Sequence, residues 1–293
     1  MPEIVILSGK GGTGKTSITG AFAHLAENAI LCDLDVDAPD LHLLLQPEHE
    51  QEEQFFSGHE ARIDKDRCEA CGLCMDMCRF DAVHCVNGDY VVDSARCEGC
   101  KVCVHFCPAQ AIDFPTRHCG SWYVSKTRFG PMVHAQLFPG EENSGLLVSV
   151  LKRKAREIAA QTGKGLILCD GAPGIGCPVI SSLSGADLVI AVTEPTISGR
   201  HDLERVAELC GHFRIPLAGI INKADINAQQ SGGLEDFFKS TNSPLIAKIP
   251  HDPEMTRAMV MGKVVTEWES ACNPILKAAW DRIMTLAYET TTP

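Results

Sequence analysis

The chain has 293 residues, of which 45% are hydrophobic and 22% charged, and it carries a formal net charge of −12. This composition predicts a globular protein of about two domains, and the negative charge argues against nonspecific binding to nucleic acid or to anionic membranes. The start of the chain lacks a basic flank and no apolar stretch reaches about 18 residues, so we expect a cytoplasmic protein without stable membrane insertion.

The N-terminal segment has the order strand, glycine-rich loop and helix. An apolar run at residues 3–7 leads into residues 9–16, which fit the pattern G-x-x-x-x-G-K-[ST], and a helical pattern follows over residues 16–27. Main-chain N–H groups of such a loop close around phosphates, and the helix dipole favours negative charge there. We therefore predict a nucleotide site with Lys15 at the β- and γ-phosphates and the Thr16 hydroxyl at Mg²⁺. The nucleotide-binding residues predicted in this loop are Gly9, Lys10, Gly11, Gly12, Thr13, Gly14, Lys15, Thr16 and Ser17.

Eight of the 15 cysteines lie in two matching runs in the middle of the chain. Each run has the spacing C-x₂-C-x₂-C-x₃-C, which is typical of bacterial ferredoxins with two [4Fe–4S] clusters, where the fourth cysteine of each run ligates the other cluster. A zinc site is the alternative. The predicted ligand sets are Cys68, Cys71, Cys74 and Cys107 for one cluster and Cys97, Cys100, Cys103 and Cys78 for the other.

The second half of the chain alternates strand and helix patterns. A hairpin pattern at residues 120–145 precedes a helix that starts near Asn143, and four apolar strands then alternate with helices up to a closing helix at residues 273–288. Such alternation predicts an α/β fold with a doubly wound, mostly parallel sheet covered by helices on both faces. We predict a P-loop NTPase domain at residues 1–59 and 117–293, and an inserted α+β ferredoxin-like domain at residues 60–116.

The loop sequence K-G-G-T-G-K-T, with its additional Lys10, resembles the deviant Walker A motif of the MinD/ParA/Mrp family, which includes the nitrogenase iron protein. With the cysteine-rich insert, the whole chain resembles MinD-superfamily P-loop ATPases that contain a two-cluster ferredoxin domain. The resemblance implies ATP hydrolysis in a dimer, formed by two copies or with a paralogue, in which Lys10 of one subunit acts on the nucleotide of the other.

The same resemblance assigns roles to polar residues that follow the predicted strands. Asp35 orients or activates the attacking water and completes the catalytic set of Lys10, Lys15 and Asp35. Asp33 serves Mg²⁺ or loop geometry, and Asp170 holds Mg²⁺ through water. Asn222 and Lys223 read the adenine, with a strand-end cap as the alternative for Asn222. The loop that closes over the base contributes Pro250, His251 and Asp252.

Cys177 follows Asp170 by seven residues in a glycine-rich segment at a predicted helix start. The nitrogenase iron protein has a cluster-binding cysteine at a similar distance from its Walker B acid, so Cys177 is a candidate ligand of a third cluster that bridges the dimer. A small buried residue at a helix N-terminus is the alternative. Cys119 is a second candidate ligand, whereas Cys85 is predicted to be a core residue of the insert.

Three functions follow from the resemblance. The first is ATP-gated electron transfer through the two clusters to a redox partner protein. The second is iron–sulfur cluster assembly or delivery to an apo-acceptor, as in Mrp-type carriers. The third is spatial organisation of the MinD/ParA type, against which a redox insert argues.

Overall fold

The computed structural model describes residues 1–141 and 144–291, which divide into two compact units. The first unit contains Met1–Glu53, Ser121–Gln136 and the described residues from Ser144 onward. The second contains Gln54–Gly120 and the described residues from Leu137 to Glu141. The predicted insert at 60–116 falls within the second unit.

The bounds of the regular elements follow the apolar runs of the sequence. The strands are β1 (Glu3–Ser8), β2 (Ala29–Asp33), β3 (Glu48–His59), β4 (Arg62–Ile63), β5 (Val83–Val86), β6 (Asp89–Val92), β7 (Ile112–Asp113), β8 (Thr116–Thr127), β9 (Gly130–Leu137), β10 (Leu166–Pro173), β11 (Leu188–Thr193), β12 (Leu217–Asn222) and β13 (Leu245–Ile249). The α-helices are α1 (Lys15–Leu25), α2 (Leu41–Leu45), α3 (Leu73–Met77), α4 (Val102–Phe106), α5 (Ser144–Thr162), α6 (Cys177–Leu183), α7 (Ile197–Phe213), α8 (Ala228–Ser240), α9 (Pro253–Val260) and α10 (Asn273–Thr291). Asn143, near which the helix α5 was predicted to start, lies outside the described residues.

A nine-stranded sheet has the order β13-β12-β11-β1-β10-β2-β9-β8-β3. The pairs from β13 through to β9 are parallel, as the strand–helix alternation predicts. The chain leaves β1 in one direction to reach β2 and later fills the other side with β11, β12 and β13. Ligands of open parallel sheets bind where the strand order reverses, at the carboxyl ends of the strands. The glycine-rich loop leaves β1 at this point.

In the core of the first unit, α1 and α10 pack against the sheet. All six residues of β1 are buried, and Phe22 of α1 stacks on Trp280 of α10 with ring centroids 5.3 Å apart. Leu276 and Ile283 of α10 are fully buried, which identifies this helix as a core element. None of the described helices is long and apolar enough to cross a lipid bilayer.

Strand β3 was not predicted from the sequence, because its first half is a run of charged and polar residues. Its residues Glu48, Glu50, Glu52 and Glu53 are exposed. The strand stands at the end of the sheet order, where one edge has no neighbouring strand among the described elements. Sheet pairing on one side has therefore overridden a weak local propensity for strand.

The second unit repeats one structural pattern twice. The antiparallel pair β4–β7 joins Ile63 to Ile112, and the antiparallel pair β5–β6 joins Val83 to Val92. Each cysteine run passes into a short helix, α3 or α4, and the residue before each helix has a left-handed backbone. That residue is Gly72 (φ 80°) in the first run and Lys101 (φ 66°) in the second.

Candidate functional site

The carboxyl ends of the parallel strands bring together polar residues that are far apart in sequence. Strand β1 leads into the glycine-rich loop, and β2, β10 and β12 end at or near Asp33, Asp170 and Asn222. These ends surround a cavity of about 410 Å³, which is within the size range of small-molecule sites. The cavity is lined by Gly11, Gly12, Gly14, Lys15, Thr16, Ser17, Asp35, Asn222, Lys223, Pro250, His251 and Asp252, among others.

The glycine-rich loop needs glycine where its backbone turns towards the cavity. Gly14 has a φ of 86°, in the left-handed region that side chains disfavour. A Cβ atom at Gly14 would also lie 2.4 Å from Nδ2 of Asn222. The loop then passes directly into α1, which leaves main-chain N–H groups of the first helical turn facing the cavity.

Asp170 at the end of β10 organises the phosphate end of the cavity. Its Oδ1 lies 2.9 Å from Lys15 Nζ, and its Oδ2 accepts a hydrogen bond of 2.8 Å from Thr16 Oγ1. Thr19 Oγ1 donates to Oδ1 at 2.8 Å. Burial alone lowers the pKa of Lys15, but Asp170 and Asp35 outweigh burial and raise it, so the ammonium stays charged. A cation, a hydroxyl and a carboxylate thus lie together at the site that the sequence predicts for the phosphates and Mg²⁺.

Asp33 and Asp35 are separated by one residue but have different surroundings. Asp33 is buried, and its two oxygens accept main-chain hydrogen bonds from Asp35 (3.1 Å) and Leu41 (3.2 Å). This geometry fits the loop-shaping role more closely than a Mg²⁺ contact. Asp35 lines the cavity 3.7 Å from Lys15 Nζ, and its burial raises its pKa to about 6, although Lys15 opposes the shift.

Lys10 lies against its own chain in this structure. Its Nζ is 2.6 Å from Glu194 Oε1 and donates to Ser198 Oγ at 3.1 Å, just after strand β11. Sequence reasoning did not identify Glu194, since a single acidic residue after a strand carries no motif. The two lysines Lys10 and Lys223 hold the pKa of Glu194 below its ordinary value against the effect of burial. The action of Lys10 on a partner's nucleotide stays a prediction.

Asn222 and Lys223 hold the glycine-rich loop in place. Asn222 Nδ2 donates to the Thr13 carbonyl at 2.8 Å, and Lys223 Nζ donates to the Gly12 carbonyl at 3.3 Å. Asn222 Oδ1 also accepts from the main-chain N–H of Lys223 at 3.0 Å, as the alternative of a strand-end cap requires. Both side chains line the cavity, but their hydrogen bonds position the loop.

The segment after β13 forms one wall of the cavity. Pro250, His251 and Asp252 line it, and Asp252 caps helix α9 by accepting from the main-chain N–H of Glu254 at 2.9 Å. Ser270 Oγ donates to the other oxygen of Asp252 at 2.6 Å. Both oxygens of Asp252 therefore accept hydrogen bonds within the chain. Pro250 and His251 are the residues of this segment that are better placed to contact a base.

The two cysteine quartets line two separate apolar cavities in the second unit. One cavity is bordered by Cys68, Cys71, Cys74 and Cys107, and the other by Cys97, Cys100, Cys103 and Cys78. Main-chain N–H groups of Ala111 and Ala82 point at the sulfurs of Cys107 and Cys78 at 3.3 and 3.4 Å. Burial raises the pKa of Cys103 to about 11, so a metal that binds this thiol must displace its proton.

The quartets are not arranged as sites for single metal ions. Within residues 1–141 and 144–291, no group of three or more His, Cys, Asp or Glu side chains is placed to hold one ion. A tetrahedral zinc site with Zn–S distances of about 2.3 Å requires sulfurs about 3.8 Å apart. A cubane cluster places an iron atom in front of each sulfur and spaces the four sulfurs more widely. The binding of clusters here stays a prediction.

The remaining cysteines correct two predictions. Cys177 begins helix α6 but is exposed, so it is not the small buried residue of the alternative interpretation. Cys85 is also exposed and not part of a core, because it lies on the short hairpin strand β5 opposite Tyr90. Cys119 is buried and donates its thiol hydrogen to the Ser57 carbonyl at 3.2 Å, a contact typical of a structural cysteine.

Comparisons with known proteins agree with the nucleotide site. The family model described as "CobQ/CobB/MinD/ParA nucleotide binding domain" matches residues 4–265. The "Uncharacterized protein MJ0578" of Methanocaldococcus jannaschii is 34% identical over 228 residues, which cover 77% of this chain and 79% of that protein. The "Cytosolic Fe-S cluster assembly factor Nubp1 homolog" of Drosophila grimshawi is 29% identical over 107 residues, 32% of this chain and 34% of that protein.

Among solved structures, the septum site-determining protein MinD of Pyrococcus horikoshii complexed with Mg-ADP superposes with a TM-score of 0.60. The alignment has 17% identity and covers 100% of this chain and 99% of that chain, so the likeness concerns the fold. Since the family model spans most of the sequence, including the glycine-rich loop and the strand ends around the cavity, the chain belongs to the CobQ/CobB/MinD/ParA nucleotide-binding domain family.

Proposed function

We propose that this chain is an ATPase that couples nucleotide-driven dimer closure to electron transfer through two [4Fe–4S] clusters to a partner protein. The observation that carries the proposal is the separation of eight cysteines into two quartets, each around its own apolar cavity. Together with the contacts among Lys15, Thr16 and Asp170, this arrangement supports a proposal that joins redox sites and a nucleotide site in one chain.

ATP hydrolysis would use residues at the phosphate end of the cavity. The main-chain N–H groups of the loop and the Lys15 ammonium bind the phosphates. Lys15 is already directed at this region by Asp170, and a bound phosphate would compete for its ammonium group. Asp35, the carboxylate that lines the cavity, orients the attacking water and accepts its hydrogen bond.

The residues present fit a magnesium ion. Thr16 Oγ1 and Asp170 Oδ2 lie 2.8 Å apart and are the hard oxygen ligands that Mg²⁺ prefers. Thr16 and Asp170 would hold it. When bound, Mg²⁺ neutralises charge on the β- and γ-phosphates. Asp33 has both oxygens engaged by main-chain N–H groups, so we assign it to the loop.

Dimer closure would move Lys10 from Glu194 to the partner's nucleotide. In this structure the ammonium group of Lys10 forms an ion pair with Glu194 and donates a hydrogen bond to Ser198. A triphosphate presented by a second subunit offers more negative charge than one carboxylate. We therefore expect Lys10→Ala to bind ATP normally and to lose ATP-dependent dimerisation and turnover, measured by light scattering and phosphate release. Normal turnover in this variant would contradict the sandwich dimer.

The cavities of the second unit fit iron–sulfur clusters. Each is lined by four cysteines and otherwise mainly by apolar groups, and N–H donors point at two of the sulfurs. When bound, a [4Fe–4S] cluster supplies a one-electron carrier whose potential depends on charge, exposure and N–H···S hydrogen bonds. The chain's own contribution is to space the thiols and supply these donors.

The direct test is the iron and acid-labile sulfide content of anaerobically purified protein. About eight irons per chain support the two clusters, and about four lost in Cys100→Ser would assign one of them to its quartet. Cys85→Ser is the matched control, because Cys85 is exposed in the same unit but lines neither cavity. An iron content near zero after anaerobic purification and reconstitution would overturn the proposal.

Cys177 can be examined in the same experiment. It is exposed at the start of α6, close to Gly145, where an added Cβ would lie 3.2 Å from the Cys177 Cβ. If Cys177 binds a further cluster shared across a dimer, the wild type holds about ten irons per chain and Cys177→Ala holds about eight. Equal iron contents would leave the two quartets as the complete set of cluster ligands.

Coupling between nucleotide and electron transfer needs a separate measurement. The potentials of the clusters and the rate of reduction of an external acceptor would be measured with ATP, with ADP and without nucleotide. A coupling of roughly 3 kcal/mol corresponds to about 130 mV for one electron. Identical potentials and rates in all three states would remove gating from the proposal while leaving ATP hydrolysis intact.

Iron–sulfur cluster assembly or delivery is the second candidate. It is supported by the partial similarity to the Nubp1 homolog and by the exposed thiol of Cys177. Nucleotide-dependent transfer of iron and sulfide to an apo-ferredoxin, lost in Cys177→Ala, would favour it. Spatial organisation of the MinD/ParA type rests on similarity of fold, which does not determine function.

A further inference from the structure

The two cysteine-lined cavities of the second unit have closely matched surroundings. The first cavity is bordered by Cys68, Cys71, Cys74 and Cys107, and the second by Cys97, Cys100, Cys103 and Cys78. One glutamate lines each cavity, Glu69 or Glu98, at the same place in its cysteine run. One main-chain N–H also donates to a cysteine sulfur at each cavity, at 3.3 and 3.4 Å. These matched groups do not distinguish one site from the other.

A charge at one position of the repeated run breaks this match. Gly72 lines the first cavity, and Lys101 occupies the same position in the second run and lines the second cavity. Both residues have a left-handed backbone, which glycine adopts freely and lysine does not. Lys101 Nζ lies 5.6 Å from the ring centroid of Phe114, which also lines the second cavity. The ammonium group is thus held beside the second cavity, whereas the described residues that line the first include no lysine or arginine.

The short helices α3 and α4 add a second difference, which acts in the same direction. Asp76 of α3 and His105 of α4 hold equivalent positions, two residues after the third cysteine of each run. Burial and two neighbouring thiols raise the pKa of Tyr90, and Asp76 adds to this shift. Tyr90 lines the first cavity, so the negative charge of Asp76 acts there.

Two further pairs of charges contribute little to the difference, because each pair combines opposite signs. Lys65 pairs with Asp89 at 2.6 Å, and Arg79 is followed two residues later by Asp81. The comparison therefore leaves a cation at the second cavity and a carboxylate at the first. A reduced iron–sulfur cluster carries one more negative charge than the oxidised cluster, so a nearby cation raises its potential and a nearby anion lowers it.

We propose that Lys101 gives the second cavity the higher reduction potential, so that the first electron taken up by the chain resides there. The proposal rests on the two clusters of the proposed function and specifies the order in which they are reduced. Each reduction adds one electron at one site and moves no proton and no covalent bond. A low-potential one-electron donor supplies the electron, and the partner protein of the proposed function removes it. An electron that enters at the first cavity therefore passes to the second.

The test is a redox titration of the anaerobically reconstituted full chain, followed by electron paramagnetic resonance. Exposed charges act largely through water, so we expect Lys101 and Asp76 each to contribute roughly threefold to the electron's preference for the second site. Together they give about tenfold, which corresponds to about 59 mV between the two potentials. Lys101→Gly should lower the higher potential by about 28 mV, the equivalent of threefold, and should change the lower potential less.

Three variants separate charge from backbone effects. Ala70→Gly is the matched control for Lys101→Gly, because Ala70 also has a left-handed backbone (φ 52°) and carries no charge. Lys101→Arg keeps the positive charge and should keep the wild-type gap between the potentials. Asp76→Asn removes the negative charge at the first cavity, so it should narrow the gap by raising the lower potential.

Equal potentials in the wild type, or an unchanged gap in Lys101→Gly, would overturn this inference alone. An equal change in Ala70→Gly would also overturn it, because the backbone and not the charge would then set the gap. An iron content near zero after reconstitution would overturn the clusters of the proposed function, and this inference with them.

Discussion

Replacement of Glu194 by glutamine should strengthen ATP-dependent dimerisation. Lys10 Nζ lies 2.6 Å from Glu194 Oε1, and the two side chains are 30% and 16% exposed. A partly exposed ion pair of this kind contributes about 1 kcal/mol. If Lys10 acts on the partner's nucleotide, each subunit must break this pair as the dimer closes.

The magnitude follows from the symmetry of the dimer. Two Lys10–Glu194 pairs break for every closed dimer, so removing both carboxylate charges lowers the free energy of dimerisation by about 2 kcal/mol, which is about 30-fold in the dimer Kd. Sedimentation equilibrium with a non-hydrolysable ATP analogue would measure this constant. Glu204→Gln is the matched control, because Glu204 pairs with Arg200 at 2.6 Å on the exposed face of α7.

A double-mutant cycle separates this effect from others. Glu194 also lies 3.2 Å from Lys223 Nζ, so its replacement changes the contact of a second lysine, one that lines the cavity. In a Lys10→Ala background, Glu194→Gln should no longer strengthen the dimer if the Lys10 contact is the cause. An unchanged or weaker dimer in Glu194→Gln alone would refute the view that Glu194 retains Lys10 in the monomer.

Three further predictions concern catalysis and stability. Asp35→Asn should retain ATP binding and release phosphate roughly 100-fold more slowly or worse. Turnover of the wild type should decrease below about pH 6, where Asp35 takes up a proton. Equal turnover in the variant and the wild type would reject a role for this carboxylate. Burial, and to a smaller extent His49, lowers the pKa of His134 from 6.5 to about 4. The unfolded chain therefore binds this proton at a higher pH than the folded chain does. The free energy of unfolding should decrease by about 3 kcal/mol as the pH drops from 6.5 to 4, and this histidine should not change it above pH 6.5. Urea unfolding across that range should show a shallower loss in His134→Gln, and the same slope in both proteins would contradict the assignment. Trp280→Ala should cost about 3–5 kcal/mol in unfolding free energy because it removes the buried ring that stacks on Phe22, and a loss below about 1 kcal/mol would show that α10 is not a core helix.

The features that the sequence predicted correctly are those encoded by residues close together along the chain. The α/β architecture and the parallel strands were predictable because each apolar run is short, is followed by a polar residue and alternates with a helix. The closing helix predicted at 273–288 is Asn273–Thr291 in the structure, three residues longer at its end. The cysteine spacing grouped the same residues that line each cavity in the second unit, because three of the four in each set lie within seven residues of the chain.

Contacts between distant segments could not be predicted. Glu194 lies 184 residues from Lys10, and its role appears only when β11 ends beside the glycine-rich loop. The network that joins the buried residues His134 and Ser125 to the exposed His49 was missed for the same reason. Ser125 Oγ lies 2.9 Å from His134 Nε2 and 3.1 Å from His49 Nδ1, and strand pairing creates these distances. Cys85 was misplaced because it is out of register with the ligand runs and was therefore assigned to the core, which the short hairpin does not provide.

The glutamate-rich first half of β3 has a consequence for how the chain behaves in a crowded solution. A strand with an open edge offers unpaired main-chain N–H and C=O groups to any other extended chain, and this is a common origin of aggregation. Here Glu48, Glu50, Glu52 and Glu53 are all exposed along that strand. A second copy approaching edge to edge would bring like charges into direct opposition, so the sheet stops growing at its ninth strand. The open edge is thereby kept from pairing by electrostatic repulsion.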